Sequence, residues 1–185
     1  RYRQCIGCLI DSTQAQLILR SGILKRLFLS FFGRSKALKT EIIHLPFCLL
    51  RYQLEGSKSE QGISILVDGY RRAARHMKEE ELPLIHRPDG VEEFPYPLDR
   101  GETVKIARSY LSSLRMARTF SPGVTFDREP KIKHVIQYPV CVVYRRAGGG
   151  SVTFDTVDGL TGKRGGTLAN QAFIAALHEN QPDRG

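Results

Sequence analysis

Two stretches of this 185-residue chain follow one pattern, and no other feature restricts the possible folds as much. The first runs Ile42-Ile43-His44-Leu45-Pro46-Phe47-Cys48-Leu49-Leu50 and reaches Val67-Asp68-Gly69. The second runs Val135-Ile136-Gln137-Tyr138-Pro139-Val140-Cys141-Val142-Val143 and reaches Val157-Asp158-Gly159. Each has two β-branched residues, a spacer, a bulky residue, Pro, an apolar residue, Cys and two aliphatics. Pro and Asp stand 22 residues apart in one copy and 19 in the other. A loop absorbs such a difference at small cost in closure entropy.

Each copy reads as a β-hairpin. Residues 41–54 and 133–146 are rich in β-branched, aromatic and aliphatic side chains, and Gly-containing loops follow them. Return strands are expected at 62–67 and 151–157, closed by Asp-Gly turns. Pro46 and Pro139 have no N–H for a ladder, which predicts an edge strand or a bulge there. Asp11 with Gln14 forms a capping box for a helix over 12–32, and Asp99 with Glu102 repeats it for a helix over 101–118. Shorter helices are expected after the Asp-Gly turns, near 70–80 and 167–178. The order helix, hairpin, turn, helix therefore occurs twice. The fold class that follows is α+β, with internally duplicated helix–hairpin–helix units forming an antiparallel sheet covered by helices around one shared core. The expected divisions are a basic segment at 1–40, a first repeat at 41–81, an acidic Pro-rich linker at 82–100 and a second repeat at 101–185.

Val157-Asp158-Gly159-Leu160-Thr161-Gly162-Lys163 resembles the strand-end signature of PepSY-type domains, and the resemblance covers residues 101–165. It implies a small α+β binding module, regulatory or inhibitory, with no catalytic residues. The first copy departs from it, because Tyr70-Arg71-Arg72 replaces the Leu-Thr-Gly stretch.

Charge sets the functional classes. Of the +9 formal total, residues 1–40 contribute +7, with Arg1, Arg3, Arg20, Lys25, Arg26, Arg34, Lys36 and Lys39 against Asp11. Residues 79–102 are acidic. Ile23, Leu24, Leu27, Phe28 and Phe31 share one side of the first expected helix, with Lys25 and Arg26 on the other. This pattern suits an acidic partner protein, nucleic acid or an anionic membrane surface, and equally a helix docked on its own sheet. No stretch is long and apolar enough to span a bilayer. With no leader of the usual form, reduced thiols in a cytoplasmic setting are the expectation, although a start on Arg1 leaves a removed segment open.

Cys5-Ile6-Gly7-Cys8 has the spacing of two corners of a zinc site, but no second such pair exists to complete it. Cys48 and Cys141 hold equivalent positions and read as small apolar core residues. Asp68 and Asp158 are also equivalent, and turn chemistry accounts for both without an aspartic dyad. Gly148-Gly149-Gly150 and Gly162-Lys163 lack the spacing of a phosphate loop. The preferred reading is a non-catalytic interaction or assembly subunit, needing no cofactor, that docks on an acidic partner through Arg20, Lys25, Arg26, Arg34, Lys36 and Lys39. Two alternatives stay open. One is a zinc-containing nucleic-acid binder using Cys5 and Cys8. The other is an enzyme or small-ligand-binding protein with a pocket between the repeats, near Asp68, Asp158, His44 and His134.

Overall fold

A computed structural model describes residues 4–20, 37–55, 62–78, 82, 84–86, 94–121, 123–146 and 150–179. Two long strands dominate it. β2 (Ala37–Gln53) and β6 (Lys131–Arg146) run antiparallel from Ala37↔Arg145 to Arg51↔Lys131. β3 (Gly62–Asp68) pairs with the second half of β2, and β7 (Val152–Asp158) with the second half of β6. With β4 (Ala73–Met77) beside β3, the antiparallel order is β4–β3–β2–β6–β7. Short β1 (Gln4–Ile6) bridges β6 at Gln137 in parallel, and β5 (Leu84–His86) pairs with β1. Three helices complete the described residues: α1 (Ser12–Arg20), α2 (Arg100–Met116) and α3 (Thr167–Glu179). The class is α+β, as the sequence predicts.

The two hairpins attach to the central pair in matching registers. Phe47↔Asp68 and Cys48↔Val67 in the first correspond to Val140↔Asp158 and Cys141↔Val157 in the second. Between the hairpins, Ile43↔Val140 and Phe47↔Ile136 flank Leu45↔Tyr138 symmetrically. The middle of β2, from His44 to Leu50, is buried at every position, because both faces of the sheet are covered.

On one face, Cys48, Leu50, Tyr52, Ile65 and Val67 pack with Val104, Ala107 and Leu111 of α2. Beside them, Cys141, Val143 and Val157 pack with Ala15 and Leu19 of α1. Each helix thus covers the hairpin that does not follow it in the chain, which interlocks the two halves. Asp11 caps α1 through the predicted box: its Oδ1 accepts the Gln14 N–H at 2.7 Å, and the Gln14 side chain accepts the Asp11 N–H at 3.1 Å. Asp99 accepts the Glu102 N–H at 2.8 Å, while the Glu102 carboxylate pairs with Arg72. On the opposite face, Leu45, Phe47, Leu49, Leu66, Ile136 and Tyr138 form a further cluster with Ile6, Leu82, Phe94 and Ala176 of α3.

Three expectations need correction. The prolines lie in the two central strands, away from any sheet edge, and the β2/β6 register shifts fall elsewhere. Pro139 carbonyl accepts the Gly159 N–H at 3.0 Å, so its nitrogen faces the same side, where the β6/β7 ladder has just ended. The missing donor is thereby placed where no ladder bond is due. Second, the segment after the first Asp-Gly turn is strand β4 rather than a helix. Pairing with the open edge of β3 outweighs the helix-compatible Ala-Ala-Arg-His-Met composition. Third, part of the 82–100 linker belongs to the core: Leu82 and Phe94 are buried, and β5 extends the sheet. The first helix is described only to Arg20, so its apolar stripe from Ile23 to Phe31 lies outside the described residues.

Candidate functional site

Both Asp-Gly turns are built alike. Asp68 Oδ1 accepts the N–H groups of Tyr70 (3.1 Å) and Arg71 (3.0 Å); Asp158 Oδ1 accepts those of Leu160 (3.0 Å) and Thr161 (2.8 Å). Each turn then reaches a left-handed residue four positions after its Asp, Arg72 at φ 50° and Gly162 at φ 68°. This is side-chain turn chemistry, the expected role of Asp at a strand end.

Between the two turns lies a cavity of about 590 Å³; Leu45, Phe47 and Tyr138, from the face opposite α1 and α2, line it, and Tyr110 of α2 reaches it beside His76 of β4. That volume lies in the ordinary range for small-molecule sites. Its apolar wall is Leu45, Phe47, Met77 and Val140. Arg71 and Arg75 approach from the β3–β4 side, and Lys163 and Arg164 from the segment after β7. The N-terminal end of α3 also reaches the cavity, at Ala169 and at Gly166 just before the helix. Gly166 accepts the Ala169 and Asn170 N–H groups at 3.0 and 3.1 Å, and this helix carries no acid in its first turn. The positive end of its dipole therefore adds to the four cations.

Arg75 spans the cavity floor. Its guanidinium lies 4.1 Å above the Tyr138 ring centroid and 5.3 Å from that of Phe47, and its Nη1 contacts Asp158 Oδ2 at 2.9 Å. Tyr138 hydroxyl donates to Asp158 Oδ1 at 2.8 Å. Burial pushes the Asp158 carboxyl up, but the Thr161 amide, Arg75 and Tyr138 together hold it below the ordinary carboxylate value. Asp68 goes the other way: burial lifts its carboxyl, and the turn amides and Arg71 do not fully offset that. Burial also raises the Tyr138 phenol, which stays protonated and donating. Asp158 has its acceptor sites filled and acts as an anchor tying β4 to the second hairpin.

The sequence-derived candidates are distributed differently. Asp68 and Asp158 line the cavity, whereas His44 and His134 are not among its lining residues. Lys39 pairs with Glu41, whose carboxylate also accepts from Tyr144 hydroxyl. Arg20 ends α1, and Lys25, Arg26, Arg34 and Lys36 lie outside the described residues. Cys8 Sγ lies 3.8 Å from Cys141 Sγ, and the Cys5 side chain, the other member of the expected zinc pair, lies outside the described residues. Among the described residues no group of three or more His, Cys, Asp or Glu gathers as a metal centre, and no helix is long and apolar enough to cross a membrane. The cationic cavity residues Arg71, Arg75, Lys163 and Arg164 escaped sequence reasoning. For Arg71, Lys163 and Arg164 the signal was the basic pairs Arg71-Arg72 and Lys163-Arg164, each shortly after an Asp-Gly, whereas no local pattern points to Arg75.

No family model matches this chain, and neither a curated protein nor a solved structure matches it.

Proposed function

We propose that the protein is a non-catalytic binding module that holds a small organic anion in the cleft between its two hairpin ends. The observation carrying this reading is the composition of that cleft: an apolar wall, with cations on opposite sides and a helix N-terminus at one end. Among the described residues, the carboxylates lining it are Asp68 and Asp158; both are engaged by their own turns, and Asp158 also by Arg75 and Tyr138. A ligand with a hydrocarbon or aromatic body and a carboxylate, sulfonate or phosphate head matches both surfaces.

The test is a fluorescence titration with 1-anilinonaphthalene-8-sulfonate, which combines an aromatic body with one anionic head. Wild type is expected to bind it saturably, and the double variant Arg71→Ala/Lys163→Ala to bind roughly tenfold more weakly, at about 1.4 kcal/mol for two exposed contacts. Near-ultraviolet circular dichroism checks that the variant keeps its fold. Unchanged binding by the folded variant, or absence of binding by wild type, rejects the reading.

The matching registers and matching Asp turns support descent of the two hairpins from one duplicated unit. A binding role also agrees with the kind of module that PepSY-type domains are. The +7 charge of residues 1–40 favours a second reading, docking of Arg20, Lys25, Arg26, Arg34, Lys36 and Lys39 on an acidic protein. Affinity for such a partner should fall steeply between 50 and about 200 mM salt. Salt-insensitive association overturns it.

A further inference from the structure

We propose that Cys8 and Cys141 are a redox-active pair that closes to a disulfide, fastening the segment after β1 to the centre of β6. They are 133 positions apart in sequence, yet their sulfurs lie 3.8 Å apart as free thiols. Closing to a bond of about 2 Å requires the two sulfurs to approach further. The approach is built into the fold. Gly159 lies against Cys8, and a Cβ there would sit 2.9 Å from Cys8 Sγ and from Pro139 carbonyl oxygen. The main-chain N–H groups of Leu9 and Ile10 both bond Gly159 carbonyl, at 2.9 and 3.2 Å, which seats the Cys8 segment on this turn.

The two thiols have different characters. Cys141 is fully buried, while Cys8 is half-buried. The Cys141 hydrogen bond pulls the Cys8 thiol down to about 7, against the opposing effect of burial, whereas Cys141 itself is pushed up. Cys8 is therefore the attacking sulfur and Cys141 the resolving one. With hydrogen peroxide as oxidant, Cys8 thiolate attacks one peroxide oxygen. An S–O bond forms, the O–O bond breaks, and the departing hydroxide takes a proton to leave as water. Cys141 then attacks the sulfenic sulfur. An S–S bond forms, the S–O bond breaks, and the second water leaves with the Cys141 proton. Two thiols are oxidised and one peroxide is reduced to two waters. Cys48 holds the register position equivalent to Cys141, and burial alone raises it to about 11, so it serves as an internal control.

The experiment exposes the folded protein to hydrogen peroxide, blocks remaining thiols with N-ethylmaleimide in denaturant, and maps unreduced peptides by mass spectrometry. The expected product has Cys8 linked to Cys141, with Cys48 alkylated, and dithiothreitol reverses it. Oxidation should raise Tm by about 5 °C or more, given the length of chain the bond closes. Cys141→Ser should abolish that shift and Cys48→Ser should keep it. A Cys5–Cys8 linkage overturns the proposal. So does over-oxidation of Cys8 with Cys141 still alkylatable, or four alkylatable thiols after treatment.

Discussion

At the end of β3 the Asp68 carboxylate is 3% exposed and serves the amides of its own turn, with Arg71 Nε at a distant 3.9 Å. At the end of β7 Asp158 serves the same two amide positions, and then also accepts Tyr138 hydroxyl and Arg75. Local chemistry makes the turns alike; the groups supplied by other strands make one carboxylate a burden and the other an anchor. The chain departs from both turns differently. After Asp68 it re-enters the sheet as β4, and β4 delivers Arg75 to Asp158. After Asp158 it enters α3, which covers β7 through Thr156–Asn170 at 2.9 Å and the Phe154–Phe173 edge contact. The cleft exists because the two exits diverge on the same face.

Exchanging the turns' residues is the sharpest way to break this comparison. Gly159→Ala should cost about 3 kcal/mol, because the new methyl group meets the Pro139 main chain in a central strand as well as Cys8. Gly69→Ala should cost roughly 1–2 kcal/mol, since its contacts are the Pro97 and Tyr96 side chains on a segment better able to shift. Urea unfolding checks both, and equal losses would remove the asymmetry.

Asp158→Asn should cost about 2 kcal/mol at neutral pH, through loss of the charge-assisted contact with Arg75. A carboxyl held below its ordinary value of 3.8 contributes stability above that pH, and the contribution disappears as pH falls through the lowered value. The penalty of Asp158→Asn should therefore vanish in acid. Asp68 carries the opposite sign: its raised carboxyl binds a proton more readily in the folded state, so ionisation costs stability as pH rises from 3.8 through the raised value. Asp68→Asn should accordingly gain relative to wild type over that rise, while its amide oxygen still accepts the turn N–H groups. Unfolding curves between pH 3 and 7 distinguish the two; parallel pH profiles would contradict the assignment.

The smallest effect concerns the left-handed positions. Arg72→Gly should stabilise the protein by about 1 kcal/mol, less the loss of the exposed pair with Glu102, by relieving a φ of 50°. Gly162→Ala should cost about 1 kcal/mol at φ 68°, with its methyl group 3.3 Å from Ile10 Cδ1. Thermal melts of both variants test whether the turns share one backbone conformation.

Hairpin positions were legible because strand propensity, the Gly-containing loops and Asp-Gly closure all act over a few neighbouring residues. The α1 and α2 starts were legible because Asp11 and Asp99 bond amides three residues on. The 70–80 segment was not, since its choice of strand depends on an open edge of β3 that no local window contains. The meaning of Pro139 was hidden for a similar reason: only the end of the β6/β7 ladder shows that no donor is needed there.

By itself the sequence determined two hairpins, their Asp turns and the capped helices that precede them, since each rests on contacts within one or two turns of chain. Tertiary structure decided which helix covers which hairpin, that Arg75 crosses to Asp158, and that Cys8 faces Cys141. Those contacts join residues far apart in the chain, and their geometry follows from sheet order and side-chain packing, which come into being only when the whole chain is folded.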